Sequence, residues 1–184
     1  MKNKFLYALL LLFAIAIACF ALLNPKENVP KPENSPSETT TVIQSEQTNL
    51  EKVTLERVVD GDTFIFSNNL GEKMKVRLIG VNCPESVHSD ASKNTKEGVA
   101  ASNFAKESLK KGHTYYLEYD KERTDKYDRI LAYLWLENCK TPASFSDVEQ
   151  YMFNAILLKE KHAEIMKIKP NVKYAEMFEE IAKD

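Results

Sequence analysis

The sequence predicts an α+β domain, a five-stranded Greek-key β-barrel of the OB type with three helices, over residues 51–184 of a 184-residue chain. Three observations carry that expectation. Short stretches with period-two alternation stand before and after a single stretch of helical spacing, tight-turn residues join the first three as a meander, and the C-terminal third returns to helical spacing. With 43% hydrophobic residues the chain has material for one compact core, and its first fifty residues do not belong to it.

Val53, Leu55 and Arg57 alternate with their neighbours and lead through Val58-Val59 into Asp60-Gly61-Asp62, a turn signal. Phe64-Ile65-Phe66 is the second strand, closed by Ser67-Asn68-Asn69-Leu70-Gly71, and Met74, Val76 and Leu78 alternate on a third. Residues 97–111 switch to helical spacing, with Val99, Ala100, Phe104, Ala105 and Leu109 on one side, and Gly112 ends the run. Tyr115, Leu117 and Tyr119 restore strand alternation, and residues 130–136 are the last strong strand. A polar loop is expected over residues 138–150, then helices over 152–164 and 172–183, divided at Lys169-Pro170-Asn171 because proline cannot continue a helix.

The N-terminus reads differently. Met1-Lys2-Asn3-Lys4 is basic and residues 5–23 are an unbroken apolar run, so residues 1–23 are expected to be an export signal or membrane anchor with everything after them outside the cytoplasm. Ala16-Ile17-Ala18-Cys19 resembles a lipoprotein cleavage box, which makes Cys19 a candidate for acylation. The apolar residues that continue through Leu23 favour an uncleaved helix instead, and a secreted product is the third alternative. Residues 24–50, rich in Pro, Glu, Asn, Ser and Thr, have little to bury and read as a disordered tether.

A formal net charge of −2 excludes a global basic field, so any binding of nucleic acid must come from a local patch. Three cysteines do not make a disulfide framework, and Cys83 and Cys139 are expected to stay free. His88, His113 and His162 lack metal-ligand spacing, which argues against zinc. Tyr133 and Trp135 read as core, and Lys106, Lys110 and Lys111 read as a solvated helix face with a phosphate track as the alternative.

The chemistry is concentrated in three short stretches. Cleaving a phosphodiester needs an oriented water, a group to activate it, and positive charge on the phosphate oxygens as their charge grows. Asp62 offers a carboxylate to a hard cation, and the Asn82 side-chain oxygen with a nearby main-chain carbonyl suits calcium, which accepts mixed oxygen ligands. Glu85 is then the carboxylate that faces the water. Arg77 and Arg129 are the candidate clamps, because a guanidinium fork matches two phosphate oxygens and keeps its charge. Each element alone has a plain structural reading: Asp-Gly-Asp occurs in ordinary turns, and a Glu after a proline is commonly solvated. Their order and joint spacing are what point to phosphodiester hydrolysis.

Val59-Asp60-Gly61-Asp62-Thr63, Val76-Arg77-Leu78, Val81-Asn82-Cys83-Pro84-Glu85, Thr124-Asp125-Lys126-Tyr127-Asp128-Arg129, Leu131-Ala132-Tyr133 and Lys169-Pro170-Asn171 together resemble the staphylococcal nuclease (thermonuclease) family, from Glu51 to Ile181. The resemblance implies calcium-dependent cleavage of DNA and RNA to products ending in 3′-phosphate. By position it makes Asp62, Asn82 and the Cys83 carbonyl the calcium ligands, Arg77 and Arg129 the phosphate-binding arginines, Glu85 the general base, and Lys126 and Tyr127 contacts to the terminal phosphate. Three positions depart from the family pattern. Asn82 stands where a carboxylate is common, which predicts weaker calcium binding; Cys83 replaces a threonine; Met166 and Ile168 occupy the region of base-stacking tyrosines. The competing expectation is a nucleic-acid-binding module on the same barrel without turnover, and a third is an interaction protein that uses the loop over 138–150.

Overall fold

A computed structural model describes residues 50–86, 92, 94–140 and 142–183. The apolar run over 5–23, Cys19 and residues 24–49 of the tether lie outside the described residues. Strands β1 (Glu51–Asp60), β2 (Thr63–Ser67), β3 (Lys73–Leu78), β5 (Thr114–Glu118) and β6 (Ile130–Trp135) close a barrel in the order β1-β2-β3-β6-β5. A short β4 (Gly80–Asn82) pairs outside it with β7 (Glu164–Met166). The helices are α1 (Lys96–Ser108), α2 (Phe145–Tyr151), α3 (Phe153–Lys159) and α4 (Ala175–Ile181).

The meander forms because alternation sends Leu55, Phe64, Phe66, Val76 and Leu78 inward, each at most 1% exposed, while Arg57, Ile65 and Lys75 point out. Register shifts between Leu55 and Arg57 and between Val58 and Asp60 each insert an extra residue into β1, bending the strand over the barrel, and the Asp60 and Asp62 side chains of the turn that follows meet the loop after β4. Closure is made by a parallel pair, Val76 opposite Ile130, Arg77 opposite Leu131 and Leu78 opposite Ala132. Tyr133 and Trp135 are core, as their alternation predicts, at 1% and 0% exposure.

The C-terminal third differs from expectation in detail. The segment read as a polar loop over 138–150 contains α2, whose start is fixed by a capping box: Ser144 Oγ accepts from the Asp147 N–H, and the Asp147 carboxylate accepts from the Ser144 N–H. The sequence carries that signal, but the helix has seven residues and buries only Val148, too few positions for a period to show. It raises the helices among the described residues to four, one more than expected. The helix expected to run to Glu164 stops at Lys159, and the chain returns as β7, whose pairing with β4 depends on residues far apart in sequence.

Candidate active site

Arg77, Asn82, Glu85, Lys126, Tyr127 and Arg129 line one pocket of about 520 Å3, with Met166 and Ile168 on its apolar side. Asp62 and Cys83 lie directly behind it. The register of the closing strands sets the spacing: Arg77 stands opposite Leu131, and Arg129 is the residue before Ile130, the partner of Val76.

Arg77 is 6% exposed and almost wholly engaged by the protein. Its Nη1 donates to the carbonyls of Leu78 at 2.7 Å and Val81 at 2.8 Å, and its Nη2 donates to Asn82 Oδ1 at 3.0 Å and lies 3.1 Å from Asp62 Oδ2. One guanidinium therefore ties β3 to the loop that carries Asn82 and Glu85. Asp62 is itself 6% exposed; it accepts from the Cys83 N–H at 2.7 Å and from Thr63 Oγ1 at 3.1 Å. Burial pushes its carboxyl above the ordinary 3.8, and Arg77 with these donors works against that shift. Burial also pushes the Cys83 thiol far up, with Asp62 adding to the effect, which leaves Cys83 a packing residue rather than a nucleophile. Gly61 explains why the turn fits: a Cβ there would lie 2.7 Å from Cys83 Sγ, closer than atoms approach.

Arg129 is held from the other side. Its Nε donates to Asp125 Oδ2 at 2.7 Å, and its Nη2 lies 2.7 Å from the same oxygen. Asp125 Oδ1 accepts the backbone N–H groups of Tyr127 and Arg129, so one carboxylate shapes the loop and aims the arginine. Asp128 takes the left-handed conformation at φ 58° that lets the turn close. Lys126 and Tyr127 are exposed on this loop, with the ammonium 5.0 Å from the ring centre.

Several supporting residues escape a reading of the sequence. Asp60, 7% exposed, accepts from Ser86 Oγ at 2.6 Å and anchors the residue after Glu85. Asn171 exchanges hydrogen bonds with the backbone of Glu122, donating at 2.9 Å and accepting at 2.8 Å, which fastens the Lys169-Pro170-Asn171 turn to the Arg129 loop. Asp125 and Arg129 stand four apart, a spacing that reveals the pair; Asn171 and Glu122 are 49 apart and nothing local signals them. Gly98 is a further such position. Its missing Cβ would fall 2.2 Å from the Glu85 carbonyl oxygen, so α1 presses its first turn onto the main chain of Glu85.

Among the described residues no group of three or more His, Cys, Asp or Glu is disposed to hold a metal. The oxygens that do gather are the Asp62 carboxylate and the Asn82 amide oxygen, bridged by Arg77 Nη2, next to the Cys83 main chain. One buried carboxylate with a neutral amide oxygen beside it is a donor set of the kind a hard cation such as calcium accepts.

A family model described as "Staphylococcal nuclease homologue" matches residues 75–184. The chain is 40% identical over 134 residues to "Thermonuclease" of Staphylococcus intermedius, covering 73% of this chain and 71% of that protein. It is 38% identical over 127 residues to "Thermonuclease" of Staphylococcus hyicus, covering 69% and 66%. It is also 34% identical over 134 residues to "Endonuclease YncB" of Bacillus subtilis, where the match spans 72% of this chain and 56% of the relative. The matched span holds most of β3, the Asn82 to Glu85 loop, α1 and the Arg129 loop, the parts that build the pocket, and the chain belongs to the staphylococcal nuclease family.

Proposed function

We propose that this protein is a calcium-dependent nuclease that hydrolyses DNA and RNA to products ending in 3′-phosphate, exported and attached to the cell envelope through residues 1–23. That it is a nuclease-type hydrolase rests on its family and on its thermonuclease and endonuclease relatives. The single observation that carries the reading is the convergence of Arg77, Glu85 and Arg129 on one pocket, with Asn82 at its edge and Asp62 behind Arg77.

In this reading the scissile phosphate lies between the two guanidinium groups, which stabilise the charge that grows on its oxygens. Asp125 orients Arg129, while Arg77 is fixed by its four protein acceptors and presents what remains of its edge. Glu85 takes a proton from the attacking water. The water oxygen bonds to phosphorus, the bond to the 5′ oxygen breaks, and that oxygen takes a proton from solvent as it leaves, so the phosphate stays on the 3′ side. Lys126 and Tyr127 hold a terminal phosphate at the pocket mouth. Asp62, Asn82 and the Cys83 carbonyl would hold calcium, which would supply positive charge at the phosphate when bound.

The test is digestion of single-stranded DNA and RNA by the full chain with calcium and with excess chelator, the product ends being assigned by phosphatase sensitivity. Full cleavage in chelator removes calcium from the scheme, and tight binding without cleavage under any metal turns the reading into that of a binding module. For the envelope, intact mass of the membrane-extracted protein decides: acylation at Cys19 gives a shortened, lipid-bearing chain whose label disappears in Cys19→Ser, and an uncleaved helix gives neither change.

A further inference from the structure

A second groove, of about 560 Å3, lies between β1 and the C-terminal end of α1. Its floor is apolar, made by Leu55 and Leu109, and its walls carry Arg57, Lys106, Lys110 and Lys111. One acid lines it, Glu56, whose Oε1 accepts from Ser67 Oγ at 2.9 Å. None of the four cations is in an ion pair among the described residues; Lys106 is on α1, and Lys110 and Lys111 follow its end. Here four positive charges face one negative charge in a chain whose formal net charge is −2, so the local field opposes the global one.

Strand register connects this groove to the pocket. Arg57 pairs with Ile65 and Ile65 with Lys75, so the three side chains stand in a row on the outer face of the barrel. Lys75 and Arg77 are two apart on β3 and share that face. Adjacent strands are about 4.8 Å apart, which puts Arg57 roughly 10 Å from Lys75, and two strand residues add about 7 Å to reach Arg77. A cationic row thus leads from the groove to the buried arginine of the pocket.

We propose that this groove binds the sugar-phosphate backbone of single-stranded nucleic acid extending from the pocket, with Lys75 as the stepping point between them. The inference rests on the reading of the pocket as a nuclease site. An anionic membrane fits less well, because Leu55 and Leu109 are 1% and 2% exposed and offer nothing to insert, and because the cations lead toward Arg77 rather than along a plane. The walls carry no aromatic side chain, so contact is to phosphate and is independent of sequence.

The experiment compares the full chain with its Lys106→Gln, Lys110→Gln, Lys111→Gln triple variant, all three positions being exposed. Binding of a labelled oligothymidylate long enough to span both sites is followed by anisotropy in chelator, so that no turnover occurs, across a salt series. Each phosphate contact on a single strand contributes about 0.7 to the slope of log affinity against log salt. Three lost contacts should make the slope shallower by about 2, which shrinks the wild-type advantage about 20-fold between ~50 and ~200 mM salt. Lys75→Gln should remove about 0.7 of slope. With calcium, cleavage of a dinucleotide should stay the same in wild type and triple variant. Equal slopes overturn the proposal, as does a difference seen with phosphatidylglycerol vesicles and not with the oligonucleotide. If wild type cleaves neither substrate, the catalytic reading falls while the slope still decides the groove.

Discussion

Arg77 and Arg129 carry the same chemical group and are held in opposite ways. Arg77 is buried with four protein acceptors, whereas the Arg129 side chain is 26% exposed and leans on one carboxylate. Lysine at either position loses the fork, and turnover should fall about 100-fold or more in both variants. Only Arg77→Lys should also lower the unfolding midpoint, because it strands buried carbonyls and the Asp62 carboxylate; equal midpoints for the two variants would contradict the assignment. Asn82→Asp adds a second carboxylate beside Asp62, and the calcium needed for half-maximal activity should drop with little change in the saturated rate. A requirement that stays put or rises in a calcium titration shows that Asn82 is not a ligand. That these residues belong together was legible in the sequence from their order and joint spacing, since each alone has a plain structural reading. Their engagement by Leu78, Val81 and Asp62 was not, since it depends on where β3 ends in space.

At the scale of elements, α1 and the Arg129 loop each position one half of the pocket. Thr95 caps α1 through the Gly98 N–H and donates its own N–H to the Glu85 carbonyl at 2.9 Å, so the cap and the Glu85 loop are joined. Gly98→Ala raises helix propensity by about 1 kcal/mol yet forces the Glu85 main chain to move. We expect kcat to fall by up to about 100-fold with little change in the salt slope of binding, and an unchanged kcat would mean that Glu85 needs no fixed place. The Arg129 loop carries its own pH signature. Burial alone would raise the Asp125 carboxyl, but hydrogen bonds from the Arg129 side chain, the Arg129 N–H and the Tyr127 N–H hold it below the ordinary 3.8. A depressed folded value means that the contribution to stability is complete above 3.8 and is lost as pH falls through the lower folded value. The Asp125 carboxyl carbon, followed by NMR, should titrate below 3.8; a midpoint at or above that value would count against the loop geometry. Strand and helix identities in this region followed from period and turn chemistry. Helix α2 and strand β7 did not, being seven and three residues long, too short for periodicity to speak.

For the whole molecule, the barrel and its C-terminal segment are fastened by Glu118, which is 4% exposed on β5. It accepts from Trp135 Nε1 at 2.8 Å and Tyr174 Oη at 2.9 Å, and it forms an ion pair with the Lys173 ammonium. Asp120 extends the fastening, accepting from the Lys173 N–H at 3.0 Å and Tyr133 Oη at 3.2 Å. Glu118→Ala leaves buried donors without an acceptor and should cost about 2–4 kcal/mol of stability in urea unfolding. A loss under about 1 kcal/mol would show that the C-terminal segment is held by its apolar contacts alone. No local pattern announces this knot, because its members come from three separated stretches. The barrel that it closes, in contrast, was predictable from strand order alone.

The parallel pairing of β3 with β6 has a consequence for timing during synthesis. A growing chain carries Asp62, Arg77 and Glu85 well before it carries Arg129, and the two arginines face one pocket only when Ile130 to Ala132 dock beside Val76 to Leu78. The segment that leads into the last barrel strand, and carries Arg129, is thus the last to join the pocket. On the proposed roles, a partly translated or unfolded chain contains most of the reactive groups and no assembled site, so it leaves the nucleic acids around it intact until folding is complete.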